Sequence, residues 1–326
     1  VLAAVPIGAA AGFLGLPLLY AVALASGVLT IFFDLAYLSY VPELVKRESL
    51  GDANSLIQLS NSASNLAGPG IGGLLIQAVG AARAMSLDAA SFVISFLSLL
   101  WMGPDPKRAE RAPGLGIISE LREGLAHVFA DPVLRVLVTV FGAAIVVGHM
   151  SEPNLYPFAY RQLHFSPATL GWLLSLEGAA AVVGAYFGPF FMRRMPAGWI
   201  LAITGAFSGA AWVIVSLAGR GPTLLIFLGA MVIGGLVDPL NNVTQWSLRQ
   251  LLTPDHLQGR MNSIFRTVYW GAWPLGNLIG GYLGSVIGSQ ESIFVAGAGF
   301  ALIMALFLAG PLRTARVGLR PATPGG

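Results

Sequence analysis

The chain has 326 residues, of which 56% are hydrophobic and 10% charged, with a formal net charge of +3 and no cysteine. Soluble domains carry about 25% charged residues, so this composition excludes an ordinary soluble protein and predicts an all-α integral membrane protein. The lack of cysteine excludes disulfides and thiolate metal sites, and no basic face of the kind that binds nucleic acid is present.

Ten apolar runs follow one another along the chain, and a membrane span needs about 20 such residues. The first run, from Val1 to about Gly15, is shorter than the others. The remaining nine cover 16–41, 53–79, 82–102, 133–157, 167–192, 197–218, 222–246, 261–287 and 292–312. We therefore expect ten transmembrane helices in four regions: a half-bundle at 1–102, a linker at 103–132, a six-helix half-bundle at 133–312 and a tail at 313–326.

Basic residues are distributed unevenly between the two sides of these spans. With the middle loop in the cytoplasm, 15 of the 18 basic residues fall on the cytoplasmic side and only Arg83, Arg161 and Arg220 fall outside. Because positive charge is enriched in cytoplasmic loops, the middle loop and the C-terminus are predicted to be cytoplasmic. The cytoplasmic set is Lys46, Arg47, Lys107, Arg108, Arg111, Arg122, Arg135, Arg193, Arg194, Arg249, Arg260, Arg266, Arg313, Arg316 and Arg320.

The linker contains a stretch with helical periodicity, GLGIISELREGLAHVFADP. Apolar residues recur at helical spacing: Ile118, Leu121, Leu125, Val128 and Phe129. The pattern predicts an amphipathic helix, either lying on the cytoplasmic membrane surface or packed against the ends of the loop.

Of the five acidic residues inside the apolar runs, Asp88 and Glu152 lie towards outer ends, and the other three lie deep, where ionisable groups are costly and therefore indicate a functional site. Glu177 is near the middle of its run, and Asp34 and Asp238 are deep in theirs. Burial disfavours the charged form of a carboxylate, and no buried Lys or Arg is expected to pair with these acids, so they are the candidates for proton coupling, with Glu177 first. Two alternatives stay open: Asp34 hydrogen-bonds a neighbouring helix, and Asp238 caps a helix break at Pro239.

His149 and Glu152 are three residues apart, which places both on one face at the outer end of a span. They are candidates for an outer gate or a proton entry, or they form a surface hydrogen bond. Pro153 and Asn154 follow and predict an unwound tip.

One span has a polar face suited to lining a cavity, formed by Asn241, Asn242, Thr244 and Gln245. Four tryptophans either stack against a planar substrate or anchor the helices at the membrane interface: Trp212, Trp246, Trp270 and Trp273.

An internal repeat appears when the sequence is shifted by 208 residues. The matching pairs are Asn54-Ser55 with Asn262-Ser263, Gly68 with Gly276, Gly72-Gly73 with Gly280-Gly281, and Gly80 with Gly288. The two spans at 133–157 and 167–192 then map to positions before residue 1. The repeat predicts two six-helix halves, with about 75 residues and two helices absent from the front of this chain.

Five stretches in order carry a resemblance to a known family: FFDLAYLSYVPELV, GDANSLIQLSNSASNLAGPGIGGLL, SLDAASF, ELREGLAHVFADPVLR and LQGRMNSIFRTVYWGAWPLGNLIGG. The chain resembles exporters of the major facilitator superfamily, in the branch of siderophore and multidrug exporters that includes transmembrane secretion effectors. The resemblance implies a monomeric, cofactor-free secondary transporter of the bacterial cytoplasmic membrane, with a small amphipathic substrate and protons as the coupling ion. The alternatives are a lipid or lysolipid flippase, an importer of the same fold, and a non-transporting scaffold or receptor.

The resemblance also assigns a role to one glycine-rich helix. Gly68, Pro69 and Gly72 match the core of the antiporter motif of such exporters, although Ser64 stands where that motif has glycine. With Gly73 they leave one helix face without side chains, which allows close helix packing. The face either governs closure between the halves or is a packing seam with no directional role. No phosphate-binding loop, zinc-binding His-Glu-x-x-His or nucleophile elbow is present, so the chain is not expected to be an enzyme.

Overall fold

The computed structural model describes residues 1–44, 50–101, 117–219 and 221–314, and every regular element in these residues is helical. Several helices contain an internal proline, as is common where neighbouring helices satisfy the freed backbone groups. In chain order the helices are α1 (Ala4–Ala10), α2 (Leu16–Leu44), α3 (Leu50–Val79), α4 (Ala81–Trp101), α5 (Ile117–Ala130), α6 (Pro132–His149), α7 (Glu152–Pro157), α8 (Pro167–Arg194), α9 (Ala197–Leu217), α10 (Thr223–Leu252), α11 (Gln258–Ile287) and α12 (Ser289–Ala305). A π-helical turn, Phe158–Gln162, continues α7.

Within the described residues, six helical segments are long and apolar enough to cross a membrane. Their bounds agree closely with the predicted runs. The run at 167–192 is α8, Pro167–Arg194, and the run at 197–218 is α9, Ala197–Leu217. The total of ten spans, and the two helices before residue 1, stay predictions.

The helices form two compact units. The first contains α1–α4 together with the first turn of α8, Ser166–Trp172. The second contains α5–α7, the rest of α8 and α9–α12. In the second unit, α9 packs against α10 and α12, and α6 packs against α11 and α12. A continuous apolar core joins these helices at one end of the unit and includes Leu134, Met261, Met304 and Phe307.

The helix bounds themselves carry the 208-residue repeat. Adding 208 to both bounds of α3 gives the bounds of α11, and adding it to the first residue of α4 gives the first residue of α12. Gly80 and Gly288 end the corresponding helices with positive φ angles of 83° and 102°. A left-handed residue after a helix favours glycine, so this pair of identities has a backbone cause.

The linker helix is present as α5, and it packs against α6 and α11 within the second unit. Val128 is fully buried, a side chain at Gly124 would meet Arg260, and Glu123 forms an ion pair with Arg260. The structure therefore favours the packed helix of the two alternatives. Two members of the apolar stripe remain exposed, Leu125 and Phe129, while the side chains of Ile118 and Leu121 are outside the described set.

Two local expectations are wrong. Pro239 does not break its helix, because α10 is continuous from Thr223 to Leu252, so Asp238 does not cap a helix end. The tip after His149 is not unwound either, since only Met150 and Ser151 separate α6 from α7. Proline is tolerated at N1 or N2 of a helix, where the missing N–H has no intrahelical partner, and this is the position of Pro153.

Candidate functional site

A line of polar side chains runs along one face of α10. Asp238, Asn242, Gln245 and Arg249 are separated by four, three and four residues, which is the spacing of neighbours on a helix surface. Gln245 Nε2 lies 3.4 Å from Asn242 Oδ1, so adjacent members of the line contact each other. The polar face predicted at 241–245 thus extends by about a turn in each direction.

At one end of this line, two acidic side chains from different helices come together. The Asp238 carboxylate accepts a hydrogen bond of 2.6 Å from Ser208 Oγ on α9. Glu177 on α8 faces Gly234 and Gly235, where the absence of side chains lets the two helices approach. A side-chain carbon at Gly234 would lie 3.6 Å from Glu177 Oε1, and Gly234 is one helical turn before Asp238, so the two carboxyl groups lie near neighbouring turns of α10. The side chain of Asp34, the third coupling candidate, lies outside the described set.

Asn241 turns away from this line and joins two helices. It is 8% exposed, and its Nδ2 donates to Thr204 Oγ1 on α9 at 2.9 Å. Thr204 in turn donates to the carbonyl oxygen of Ile200 at 2.8 Å. Hydrogen bonds between membrane helices contribute about 0.6 kcal/mol each on average, so Asn241 has a structural contact here.

A cavity of about 530 Å³ opens beside the other end of the polar line. It lies between α6, α10 and α11, and pockets of this size accommodate small molecules. Its lining consists of Val138, Phe141, Gly142, Ile145, Asn242, Gln245, Trp246, Arg249, Asn262, Phe265, Arg266, Val268, Tyr269 and Trp270. Two of the predicted cavity residues, Asn242 and Gln245, are in this lining and Asn241 is not. Among the described residues, no group of three or more His, Asp or Glu side chains is arranged to hold a metal ion.

Arg249 is the feature of this cavity that sequence analysis missed. Its side chain is buried, with 6% of the residue exposed. The guanidinium carbon lies 4.7 Å from the ring centre of Trp246 and 4.5 Å from that of Phe265, and Nε has no hydrogen-bond partner. The prediction ended the span at residue 246 and assigned Arg249 to a loop. The signal that would have found it is the helical spacing of Asp238, Asn242 and Gln245, because the next position on that face is residue 249.

His149 and Glu152 belong to a second polar cluster, which extends to α11. His149 Nδ1 and Glu152 Oε1 are 2.9 Å apart, and Trp273 Nε1 donates to Glu152 Oε2 at 2.7 Å. The imidazole stacks on the Trp273 ring with centres 4.7 Å apart, and Trp273 stacks on Trp270 at 5.5 Å. Oriented to satisfy its neighbours, the amide of Asn277 donates to Glu152 Oε2 at 3.2 Å. The pair is thus held by a tryptophan and an amide on α11, and no sequence pattern connects these two residues with it.

The glycine-rich face of α3 makes a close contact within the first unit. A side chain carbon at Gly73 would meet the carbonyl oxygen of Pro167, and one at Gly171 would meet that of Pro69. The amide N–H of Ala168 also donates to Gln77 Oε1 at 3.3 Å. Gly73 and Pro69 of the motif therefore lie in a tight helix crossing, whereas two others, Gly68 and Gly72, have open space where a side chain would be.

The corresponding glycines of α11 pack differently. Gly276 lies against the carbonyl of Val146, Gly280 against that of Met150, and Gly284 against the Asn154 side chain. The remaining glycine of the set, Gly281, faces open space. The repeat equates Gly73 with Gly281 and Gly72 with Gly280, so the two repeats use different glycines for their closest contacts.

Comparisons with known proteins agree with this architecture. The family model described as "Transmembrane secretion effector" matches residues 1–322. The multidrug efflux pump Tap of Mycolicibacterium fortuitum is 27% identical over 292 residues, which cover 85% of this chain and 69% of that protein. The enterobactin exporter EntS of Escherichia coli O1:K1 is 25% identical over 279 residues, covering 84% of this chain and 64% of that protein.

Solved structures show the same fold. A bacterial homologue of the iron transporter ferroportin, in its inward-facing state, aligns with a TM-score of 0.62 and 17% identity, over 83% of this chain and 66% of that one. A bacterial metal transporter aligns with a TM-score of 0.61 and 18% identity, over 82% and 67% of the two chains. The chain thus spans about two thirds of the length of these relatives.

Proposed function

Because the chain belongs to the transmembrane secretion effector family, whose members are membrane transporters and not enzymes, we propose that it exports a small amphipathic compound. Export would cross the bacterial cytoplasmic membrane by alternating access, driven by the inward flow of protons. The observation that carries this proposal is the polar line on α10, which joins paired acids at one end to a cavity at the other. Two of the relatives, a multidrug efflux pump and an enterobactin exporter, support the direction of transport.

The paired acids are proposed to couple protons to transport. Two neighbouring carboxylates repel when both are charged, so a proton bound between them would relieve the repulsion. The Asp238 carboxyl group is held by the hydrogen bond from Ser208, and Glu177 is proposed as the group that carries the proton. In each cycle Glu177 would take a proton from the outside and release it to the cytoplasm. Asp34 remains a third candidate.

The glycine contact of α3 is proposed as the surface that slides during closure. Side chains are absent from the crossing at Gly73 and Gly171, so the backbones touch and can shift without changing rotamers. His149 and Glu152 are proposed as a gate at the outer end. The predicted cytoplasmic location of the middle loop gives these elements their orientation.

The test is efflux from vesicles that contain the protein expressed from its complete reading frame. Glu177→Gln and Asp238→Asn should abolish efflux driven by an imposed proton gradient but keep substrate exchange at equal concentrations, because exchange needs no net proton movement. Asp88→Asn is the matched control, since Asp88 is an exposed acid on α4 and does not belong to the polar line of α10. The coupling proposal is wrong if both variants keep gradient-driven efflux at the rate of the control.

The same vesicles separate the alternatives. Uptake in place of efflux would identify an importer, and movement of a labelled lysolipid between leaflets without solute transport would identify a flippase. A protein that binds its ligand but moves neither solute nor lipid under any gradient would be a scaffold or receptor. Any of these results would replace the export proposal.

A further inference from the structure

We propose that the cavity between α6, α10 and α11 binds the anionic group of an aromatic small molecule, with Arg249 as its ion-pair partner. The inference rests on the proposed function only in taking this ligand to be the transported compound. It specifies the class of that compound: a flat ring bearing a carboxylate, sulfonate, phosphate or similar group.

The charge of the cavity is not balanced by its own lining. The described residues around it include two arginines, Arg249 and Arg266, and no aspartate or glutamate. Arg249 has no ion pair with any carboxylate in the described part of the chain. A buried charge is costly unless it is paired, so the site favours an incoming negative charge over a positive one.

The guanidinium is held in place before any ligand arrives. The rings of Trp246 and Phe265 lie against Arg249 at 4.7 and 4.5 Å, an arrangement that stabilises a cation and limits its rotation. Its Nε is buried without an acceptor. Arginine presents its donors in a fixed fork that matches an anionic group with two oxygens, so the unused hydrogen-bonding capacity fits such a group.

The rest of the lining suits an aromatic body. Tyr269 and Trp270 contact each other at the wall formed by α11, with ring centres 6.0 Å apart. Asn242 and Gln245 add amide groups next to the arginine. A volume of about 530 Å³ holds a molecule of a few rings. A second cavity, of about 680 Å³ between α8, α9 and α10, has no charged residue in its lining and gives an internal comparison for neutral compounds.

The test uses two fluorescent probes with the same rings. One is 8-anilinonaphthalene-1-sulfonate, and the other is N-phenyl-1-naphthylamine, which lacks the sulfonate. Binding is measured as quenching of tryptophan fluorescence, with the protein from the complete reading frame in phosphatidylcholine nanodiscs and empty nanodiscs as background. In the unaltered protein, the sulfonate probe should bind at least about tenfold more tightly than the neutral probe, because a charge-assisted hydrogen bond contributes this much.

Arg249→Gln should weaken binding of the sulfonate probe about ten- to hundredfold and change binding of the neutral probe by less than about twofold. Arg249→Lys should restore part of the loss, because it keeps the charge but not the fork. Arg135→Gln is the matched control: it removes the same charge from an exposed position on α6. It should leave both probes unchanged.

The proposal is overturned if Arg249→Gln affects the two probes equally or not at all, or if the unaltered protein prefers the neutral probe. Displacement of the sulfonate probe by phosphatidylglycerol in the nanodisc, but not by salicylate, would also overturn it and assign the site to a lipid headgroup. Binding is measured without a gradient, so its outcome is independent of export. If the protein shows proton-driven efflux but Arg249→Gln does not change probe binding, this inference is refuted and the export proposal stands.

Discussion

Adding a methyl group at Gly73 should loosen α3, whereas adding one at the adjacent Gly72 should not. The two substitutions, Gly73→Ala and Gly72→Ala, make the same chemical change one residue apart in the same helix. At Gly73 the new carbon would lie 3.1 Å from the Cα of Gly171 and would collide with the carbonyl oxygen of Pro167. At Gly72 no atom lies within 4 Å of the new carbon.

The size of the effect follows from these distances. Carbon atoms in contact normally lie about 3.5–4.0 Å apart, so α3 and the first turn of α8 would have to separate by about 0.5–1 Å. Overpacking of this kind costs about 1–3 kcal/mol. Replacing glycine by alanine in a helix contributes about 1 kcal/mol of stabilisation, but both variants share that contribution. The difference between them is therefore about 1–3 kcal/mol, from the collision alone.

Hydrogen exchange measured by mass spectrometry is the suitable assay, because it reports the local opening of α3 without requiring the two units to unfold together. Peptides covering Leu50–Val79 should exchange about 5- to 150-fold faster in Gly73→Ala than in Gly72→Ala, since about 1.4 kcal/mol corresponds to a factor of ten. Proton-driven efflux should fall only in Gly73→Ala. Equal exchange in the two variants would show that no tight crossing exists at Gly73.

Two further predictions concern packing and topology. Asn154 Nδ2 donates to the carbonyl of Gly280 at 2.8 Å and to Ser292 Oγ at 3.0 Å. Asn154→Asp keeps the shape of the side chain but places a carboxylate against that carbonyl, so it should lower the thermal unfolding midpoint in detergent more than Asn154→Ala does. The reverse order would contradict the hydrogen-bond assignment. The chain has no cysteine, so the single substitutions Lys107→Cys and Arg220→Cys report directly on which side of the membrane each position lies. An impermeant maleimide added outside should label only Arg220→Cys. Labelling of both variants from one side would contradict the predicted topology.

Much of the fold could be predicted because lipid imposes simple requirements on sequence. Apolar runs of fixed length identified α8 and α9 to within two residues, and the repeat identified α11 from α3. The family resemblance based on the ordered motifs is confirmed by the family model. The errors arose at proline: Pro239 was expected to end a helix, but a bundle can satisfy the backbone groups that proline frees.

The site was predicted less completely, because contacts between helices leave little trace in one sequence. Glu177 and Asp238 were each identified from their depth in an apolar run, but nothing in the sequence indicated that Glu177 packs on α10 one turn before Asp238. Arg249 was missed because a positive charge after an apolar run is normally a loop residue. The tryptophan partner of Glu152 was identified only as a possible ring-stacking or interface residue, since a hydrogen bond between α7 and α11 has no sequence signature.

Arg249, which pairs with no carboxylate in the described part of the chain, has a consequence for the energy that drives transport. A compound carrying one negative charge that leaves a cell with a negative interior gains about 2.3 kcal/mol for every 100 mV of membrane voltage. Voltage alone would then sustain an outward concentration ratio of about fifty. Cargo chosen by Arg249 would thus be expelled by the electrical gradient acting on its own charge as well as by the inward flow of protons.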